Sequence, residues 1–119
     1  MILEFRTYRL RPGATDEFVR LMSGESAELL KRHGIRVVAS GVSLVPESEG
    51  LEEAYLIRAF ASLEERDRQE MSFYSSTDWV DGPRKAVLEC IESYHTIVLE
   101  VPDEAVRALE RSGTQVSPE

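Results

Sequence analysis

The order in which strand-like and helix-like segments follow one another is the feature that most constrains the fold of this chain. Residues 2–10 alternate between apolar and polar side chains, with Leu3 and Phe5 on one side and Glu4 and Arg6 on the other. Such alternation is typical of a β-strand with one apolar face. Three further segments rich in β-branched and apolar residues predict strands at residues 35–45, 54–60 and 94–101.

Two helical regions separate these strands. The first ends at Gly34, since glycine suits the left-handed conformation that closes many helices, and Ser23-Gly24 predicts a bend within it. The second begins at a capping box, Ser62-Leu63-Glu64-Glu65, is interrupted at residues 75–81 and resumes with Pro83 at the first position of a helix. The resulting order predicts an α+β, ferredoxin-like βαββαβ fold, in which an antiparallel sheet carries helices on one face.

Length and segmentation indicate one domain followed by a short extension. The 119 residues suffice for one small hydrophobic core. We assign residues 1–101 to the ferredoxin-like domain and residues 102–119 to a C-terminal extension, because Pro102 stops the last strand. Within the extension, residues 103–111 predict a short helix and residues 112–119 a flexible tail.

The balance of charges narrows the classes of partner. Acidic residues outnumber basic ones, 22 against 14, for a net charge of −8, which argues against a nucleic-acid backbone or an anionic membrane surface. No apolar run approaches the roughly 20 residues of a spanning helix, and the N-terminal residues have the pattern of a strand instead of a signal peptide. The single cysteine, Cys90, cannot form an internal disulfide. These features predict a cytoplasmic protein.

A sheet with helices on one face must cover its other face, and we therefore expect a homodimer. The residues predicted on this open face are Ile2, Glu4, Arg6, Tyr8 and Leu10 of the first strand and Ala54, Leu56, Arg58 and Phe60 of the third. By the same assignment, Tyr55, Ile57 and Ala59 pack beneath the helices. Because side chains alternate with a period of two, a shift of one residue exchanges the two faces.

Arg6, Tyr8 and Arg58 are predicted to converge on the open face as ligand-binding residues. Arginine offers a planar fork of donors and tyrosine a hydroxyl, a combination suited to a carboxylate or a phenolate. Arg6 and Tyr8 are also candidate catalytic residues. The alternative is a structural network in which Glu4 pairs with an arginine across the dimer interface. The sequence leaves both open.

Tyr94, His95 and Trp79 are further candidates for ligand binding. If Ile97 and Leu99 face the helices, His95 does as well, and it then reaches a cavity between the sheet and the helices as a candidate catalytic residue. A hydrogen-bonded structural histidine is the commoner case. Trp79 forms an aromatic patch with Phe73 and Tyr74 before the last helix, and this patch either covers a hydrophobic ligand or fills core space.

The remaining chemistry-bearing residues have simpler interpretations. His33, at a predicted helix end, is expected to be a surface imidazole favoured by the helix dipole. Cys90 is expected to be a small buried apolar residue instead of a nucleophile. Two isolated histidines and one cysteine lack zinc-site spacing, so no metal site is predicted.

Several short motifs, taken in order, resemble the NIPSNAP family. They are Arg6-Thr7-Tyr8, Leu10-Arg11-Pro12-Gly13, Phe18, Lys31-Arg32-His33-Gly34, Ser62-Leu63-Glu64-Glu65-Arg66 and Asp78-Trp79. The resemblance extends from residue 2 to about residue 101. It implies a dimeric α/β barrel, in which two ferredoxin-like sheets pack face to face. Related proteins of the superfamily include cofactor-free monooxygenases, haem-binding and haem-degrading proteins and small isomerases, whereas NIPSNAP proteins mostly lack an assigned reaction.

Three functions are consistent with these residues. The first is binding of a small, partly apolar molecule in a cavity between sheet and helices, in its sharpest form as a cofactor-free monooxygenase acting on an aromatic substrate. The second is a non-catalytic protein-interaction module that docks through its acidic surface or through the helix from Asp103. The third is haem binding, with His33 and His95 as the candidate axial ligands. No other cofactor is predicted.

Overall fold

The computed structural model of the chain describes residues 1–114. Within these residues the chain forms four strands and six helices. In order they are β1 (Ile2–Leu10), α1 (Thr15–Ser23), α2 (Glu25–Arg32), β2 (Arg36–Val42), β3 (Glu52–Phe60), α3 (Leu63–Tyr74), α4 (Thr77–Val80), α5 (Arg84–Cys90), β4 (Ile91–Glu100) and α6 (Asp103–Thr114). The predicted α+β order is confirmed, with shifts at strand ends such as the start of β4 at Ile91.

The four strands form one antiparallel sheet in the order β2-β3-β1-β4. Strands β1 and β3 are central, and their register places Glu4 opposite Arg58 and Arg6 opposite Leu56. On the other side of β1, Arg6 lies opposite Thr96 and Tyr8 opposite Tyr94. The side chains that the register aligns on the two central strands therefore become neighbours.

The helix boundaries follow local signals in the sequence. The predicted bend separates α1 from α2 at Gly24, and α2 is followed by Gly34 with a positive φ of 80°. The Ser62 side chain accepts a 3.0 Å hydrogen bond from the backbone N–H of Glu65, as the capping box predicts. Within residues 1–114, none of the helices is long and apolar enough to cross a membrane.

The predicted assignment of the two sheet faces is wrong. The main core packs the helices against the face that carries Ile2, Tyr8 and Leu10 of β1 and Leu56 and Phe60 of β3. Glu4 and Arg58 lie on this same covered face, with no exposed surface. The face predicted to be open is thus the one that the helices cover, because burial of two opposite charges is tolerated when they pair with each other.

The opposite face carries a smaller core. Leu3, Ile57 and Ala59 pack there with Val38 and with Val106 of α6, which has no exposed surface. Helix α6, which follows the βαββαβ unit, therefore covers part of this face beside β2. It extends to Thr114, beyond the residue 111 predicted for its end, and residues 115–119 of the predicted tail lie outside the described residues.

Strand β4 leaves apolar side chains exposed on this second face. Ile97 is 52% exposed and Leu99 40% exposed, and both align with the Leu3 and Phe5 side of β1. His95 aligns with Thr7 on the same side, so the prediction that it faces the helices is also wrong. The prediction for His95 assumed that Ile97 and Leu99 face the helices, and alternate residues of a strand lie on the same side. Because Ile97 and Leu99 lie on the second face, His95 lies there as well.

Candidate functional site

A cavity of about 390 Å³ lies between the covered face of the sheet and the helices. Its apolar walls come from Met22, Leu30, Leu56, Phe73, Trp79, Val87, Leu88 and Ile91, and its polar lining from Arg6, Tyr8, Ser26, Glu70, Tyr74, Arg84 and Tyr94. Cavities of this size, mostly apolar with a few polar groups, are typical of small-molecule sites.

Helical and strand periodicities bring the lining residues together. Arg6 and Tyr8 are two apart on β1 and share the covered face. On α3, Glu70 is followed by Phe73 and Tyr74 at the i+3 and i+4 positions, which lie on one side of a helix. The same face of one helix therefore supplies an acid, an apolar ring and a hydroxyl to the cavity.

Aromatic side chains form two groups of ring contacts in the wall of the cavity. The ring of Trp79 lies 5.3 Å from that of Phe73 and 5.6 Å from that of Tyr74, with the second pair in edge-to-face geometry. Tyr8 and Tyr94 approach with 6.5 Å between ring centroids. Such distances and tilts are those of favourable aromatic contacts. The wall is therefore held in place by ring–ring packing and can receive a flat, apolar ligand.

An ion-pair network lies beneath this wall. Arg58, fully buried, donates from Nε to Glu4 Oε1 at 2.7 Å, and its Nη2 lies 2.6 Å from the same oxygen. Arg66 donates from Nε to the second oxygen, Glu4 Oε2, at 2.9 Å. Both carboxylate oxygens of Glu4 are therefore paired, which offsets the cost of burying the charge.

Tyr74 and Glu70 connect this network to the cavity. The Tyr74 hydroxyl accepts hydrogen bonds from Arg58 Nη1 at 2.8 Å and from Arg6 Nη1 at 3.2 Å. Glu70 Oε2 accepts from Arg58 Nη2 at 3.2 Å, whereas Glu70 Oε1 lies 3.9 Å from Arg6 Nη2. Two residues of α3, Glu70 and Tyr74, thus contact both the buried ion pairs and the cavity.

The two carboxyl groups have opposite pKa shifts. Burial alone would raise the pKa of Glu4, but its hydrogen bond with Glu70 and the charge of Arg58 outweigh burial and lower that pKa from 4.5 to about 2. Burial, and then the hydrogen bond with Glu4, raise the pKa of Glu70 to about 7. One proton is thus shared unequally between two close carboxyl groups. With a pKa of about 7, Glu70 is present in both its neutral and its charged form near neutral pH.

Two polar groups of the cavity lack partners. Among the described residues, neither Arg6 Nε nor Ser26 Oγ has a hydrogen-bond partner, although both atoms are buried. Arg6 also lies over the Tyr94 ring, with its guanidinium carbon 5.1 Å from the ring centroid. Burial raises the pKa of the Tyr8 hydroxyl, which keeps it protonated. Unsatisfied buried donors of this kind call for an explanation.

The structure places five of the six predicted ligand-binding residues at or below this cavity. Arg6, Tyr8, Trp79 and Tyr94 line it, and Arg58 lies beneath it behind Tyr74. Arg6, Tyr8 and Arg58 lie close together, but under the helices and not on the open face where they were predicted to converge. Their role in ligand binding stays a prediction. The alternative prediction paired Glu4 with an arginine across a dimer interface, whereas Glu4 pairs with Arg58 and Arg66 of its own chain.

His95 is the predicted residue that the structure separates from the others. It is exposed and lines a groove on the second face, together with Thr7 and Arg9. Arg9 is already paired there with Glu47. The other histidine, His33, lies 3.2 Å from Asp78 Oδ2 and packs edge-on against Phe73. Neither histidine contributes to the cavity lining that the described residues form.

Sequence reasoning missed Glu70 and Ser26 as site residues. Glu70 ends the strongly charged part of helix α3, and its spacing to Phe73 and Tyr74 is the signal that could have found it. Ser26 has no such signal, since serine is common on exposed helix surfaces. Cys90 is buried in the core, as predicted. Within residues 1–114, no group of three or more His, Cys, Asp or Glu side chains is placed to hold a metal ion.

Solved structures with the same fold include two NIPSNAP proteins. A NIPSNAP family protein from Agrobacterium tumefaciens superposes with a TM-score of 0.74 at 22% identity, over 86% of this chain and 93% of that one. A NIPSNAP-like domain protein from Burkholderia xenovorans has a TM-score of 0.75 at 19% identity, over 99% of this chain and 89% of that one. At these identities the likeness is one of fold.

A more distant fold neighbour is a candidate antibiotic biosynthesis monooxygenase from Bacteroides thetaiotaomicron. Its TM-score is 0.59 at 12% identity, over 84% of this chain and 88% of that one. A comparison with curated protein sequences gave no match. The NIPSNAP family profile matches residues 3–102, which include the whole βαββαβ unit except its first strand residue. The chain therefore belongs to the NIPSNAP family.

Proposed function

We propose that this protein binds a small, ring-bearing, partly apolar molecule in the cavity between the sheet and the helices. The observation that carries the proposal is an aromatic wall combined with two buried polar groups, Arg6 Nε and Ser26 Oγ, in one cavity of about 390 Å³. Neither group has a hydrogen-bond partner among residues 1–114. A cavity formed only as a packing defect would be lined by apolar groups.

Trp79 provides the test, because it is the single tryptophan of the sequence and it lines the cavity. Titration with 2-naphthamide, an uncharged two-ring probe, should change the Trp79 fluorescence in a saturable way. Leu88→Phe, which enlarges a half-exposed residue of the lining, should weaken binding, whereas Leu63→Phe, at an exposed position of α3, should not. A linear, unsaturable response that is equal in both variants would refute the proposal.

A second candidate function is proton removal from the bound ligand as the first step of a cofactor-free oxygenation. The observation that favours it is Glu70, whose carboxyl group has a pKa of about 7 and lies beside Arg6 at the cavity wall. A phenol or enol would transfer its proton to Glu70, and Arg6 would pair with the resulting oxyanion. Dioxygen would then be reduced by the ligand, with one oxygen atom retained in a quinone and the other released as water.

Anthrone, which can form such an enol, is a suitable probe for this reaction. The protein should accelerate oxygen uptake and anthraquinone formation, and Glu70→Gln should abolish the acceleration while Trp79 still reports anthrone binding. Glu64→Gln, an exposed change on the same helix, should leave the rate unchanged. Oxygen uptake at the rate of buffer alone, with anthrone bound, would refute the oxygenase proposal and leave the binding proposal intact.

Homodimerisation is part of the same proposal. The second face of the sheet exposes Ile97 and Leu99 on β4, beside the half-buried Phe5, while α6 covers only the region next to β2. A second copy that packs its own β4 region there would bury these apolar groups. The cavity under the helices would remain complete within each chain. Sedimentation velocity at micromolar concentration should show a dimer.

The two alternative functions have less support. The described residues give the cavity no histidine, so haem bound there would lack the expected axial ligand. The helix from Asp103, which was the candidate docking element, buries Val106 against its own sheet. A cytoplasmic location stays a prediction from the sequence.

A further inference from the structure

The charged groups around the cavity are unequal in number. Three guanidinium groups, those of Arg6, Arg58 and Arg66, surround two carboxyl groups, those of Glu4 and Glu70. Arg58 and Arg66 are satisfied by the two oxygens of Glu4. Asp67 adds a negative charge, but it is exposed and contacts Arg66 on the outer side of α3. Among residues 1–114, the network therefore leaves Arg6 with one long ion pair, at 3.9 Å from Glu70.

Of these three arginines, Arg6 has the weakest pairing with carboxylates in the described structure. Its closest carboxylate contact is the 3.9 Å approach to Glu70 Oε1, too long for a hydrogen bond, and among residues 1–114 its Nε has no partner. Its other contacts include the Tyr8 and Tyr74 hydroxyls and the faces of the Tyr74 and Tyr94 rings. An arginine held between rings with part of its fork unused is suited to pair with a planar anion.

The other polar groups of the cavity are also donors. The Tyr74 hydroxyl accepts from two guanidinium groups, so its own hydrogen is left to donate. The Ser26 hydroxyl, only 1% exposed and without a partner in the described part of the chain, can donate as well. Glu70 is the one acidic group that the described residues contribute to the lining, and Arg84 adds a further cation. The cavity thus presents several donors and positive charge.

We infer that the ligand of this cavity is a monoanion, in which an oxyanion on a flat apolar ring system pairs with Arg6 and receives hydrogen bonds from Tyr74 or Ser26. The inference rests on the proposed function, since it assigns the charge of the molecule that the cavity binds. The guanidinium of Arg6, part of whose fork is unused, matches one negative charge. The apolar and aromatic walls fit the ring.

The protonation of Glu70 supports the same assignment. With a pKa of about 7, Glu70 is neutral in a large fraction of molecules at neutral pH, so it does not repel an anion as a fixed carboxylate would. The groups that face it are Glu4 on β1, Arg6 on β1, Arg58 on β3 and Arg66 on its own helix. Binding of an anion beside Glu70 should therefore be accompanied by proton uptake.

Isothermal titration at neutral pH with two matched probes tests the inference. The probes are 2-naphthoate, which carries a carboxylate, and 2-naphthamide, which has the same rings and no charge. The naphthoate should bind about tenfold to a hundredfold more tightly, as expected for a hydrogen-bonded pair with a charged group. Titration in buffers of different ionisation enthalpy should reveal proton uptake with naphthoate and none with naphthamide.

Variants of Arg6 test whether this residue causes the preference for naphthoate over naphthamide. Arg6→Met should reduce naphthoate affinity about tenfold or more and leave naphthamide affinity nearly unchanged, and Arg6→Lys should recover part of the difference. Arg11→Met is the matched control, because Arg11 is exposed and the described lining does not include it. Far-UV circular dichroism verifies that each variant folds. If Arg6→Met does not fold, the affinities of Arg6→Lys and Ser26→Ala for the two probes are compared with those of the wild type.

A third probe distinguishes the source of the oxyanion. If the ligand is a phenolate or enolate, 2-naphthol should bind with the absorption spectrum of the naphtholate, whereas a site for carboxylates should bind naphthoate and leave naphthol neutral. Either result supports a monoanion. Equal affinity for naphthoate and naphthamide would overturn this inference while the cavity-binding proposal stood, and failure of every naphthalene probe to bind would overturn both.

Discussion

Glu4 and Glu70 share one guanidinium group, because Arg58 Nη2 lies 2.6 Å from Glu4 Oε1 and 3.2 Å from Glu70 Oε2. Glu4 comes from the central strand β1 and has no exposed surface, whereas Glu70 comes from α3 and borders the cavity. The pairing ties the sheet to the helix that supplies much of the site. It also makes the protonation of a cavity residue depend on a buried ion pair.

Glu70→Gln should make stability less dependent on pH. The pKa of Glu70 is raised in the folded protein from 4.5 to about 7, so its contribution to stability is present in full below pH 4.5 and is lost as the pH rises through about 7. Glu4, whose pKa is lowered to about 2, contributes stability above pH 4.5 that is lost as the pH falls toward 2. Glutamine keeps hydrogen-bonding groups but does not titrate.

Urea unfolding at pH values of about 5 and about 8 measures this effect. Between about pH 5 and about pH 8, the free energy of unfolding of the wild type should fall by about 2 kcal/mol more than that of Glu70→Gln. The variant should therefore be more stable, relative to the wild type, at the higher pH than at the lower one. Glu64→Gln, exposed on the same helix, controls for the loss of one negative charge. A constant difference across this range would contradict the prediction.

Arg58→Met should destabilise the protein strongly. The substitution leaves the fully buried Glu4 with only Arg66 as a close cation, and loss of one partner from a buried pair typically costs about 3–5 kcal/mol. The same change at Arg36, which pairs with Glu110 at the surface, should cost about 1 kcal/mol or less. Urea unfolding at neutral pH compares the two variants. Equal losses of unfolding free energy would show that the buried ion pairs of Arg58 stabilise the protein no more than the surface pair of Arg36 does.

Ser26→Ala should stabilise the protein while it weakens anion binding. The Ser26 hydroxyl is buried without a partner in the described structure, and removal of an unsatisfied buried hydroxyl should raise the free energy of unfolding by about 1 kcal/mol. Ser23→Ala, at an exposed serine whose hydroxyl donates to the Val19 carbonyl, should have little effect. Thermal unfolding and naphthoate titration measure both properties, and a clear loss of stability would mean that Ser26 is satisfied in solution.

Ile97→Glu should dissociate the proposed dimer. A carboxylate at this half-exposed position of β4 would be buried without a partner against a second sheet. Leu63→Glu introduces the same charge at a similarly exposed apolar residue of α3, outside the proposed interface. Sedimentation velocity should therefore show monomer for Ile97→Glu and dimer for Leu63→Glu. A monomeric wild type at the same concentration would contradict the dimer proposal itself.

Local signals in the sequence were sufficient for the order of elements and for several of their ends. The alternation along β1, the Ser62 cap of α3, the break at Gly24 and the positive φ of Gly34 all depend on residues close together in the chain. Such features are set by backbone geometry and by hydrogen bonds within a few residues, so they can be predicted without knowledge of the rest of the molecule.

Only the tertiary structure decided which face of the sheet the helices cover and which residues form the site. Alternation separates two faces but does not say which one is buried, and here the face with Glu4 and Arg58 is covered because α3 and β1 supply the matching charges. Glu70 acquired its role in the same way, through partners more than 60 residues distant in β1. Burial of charge depends on partners brought together by folding, and this long-range pairing is what the sequence pattern could not show.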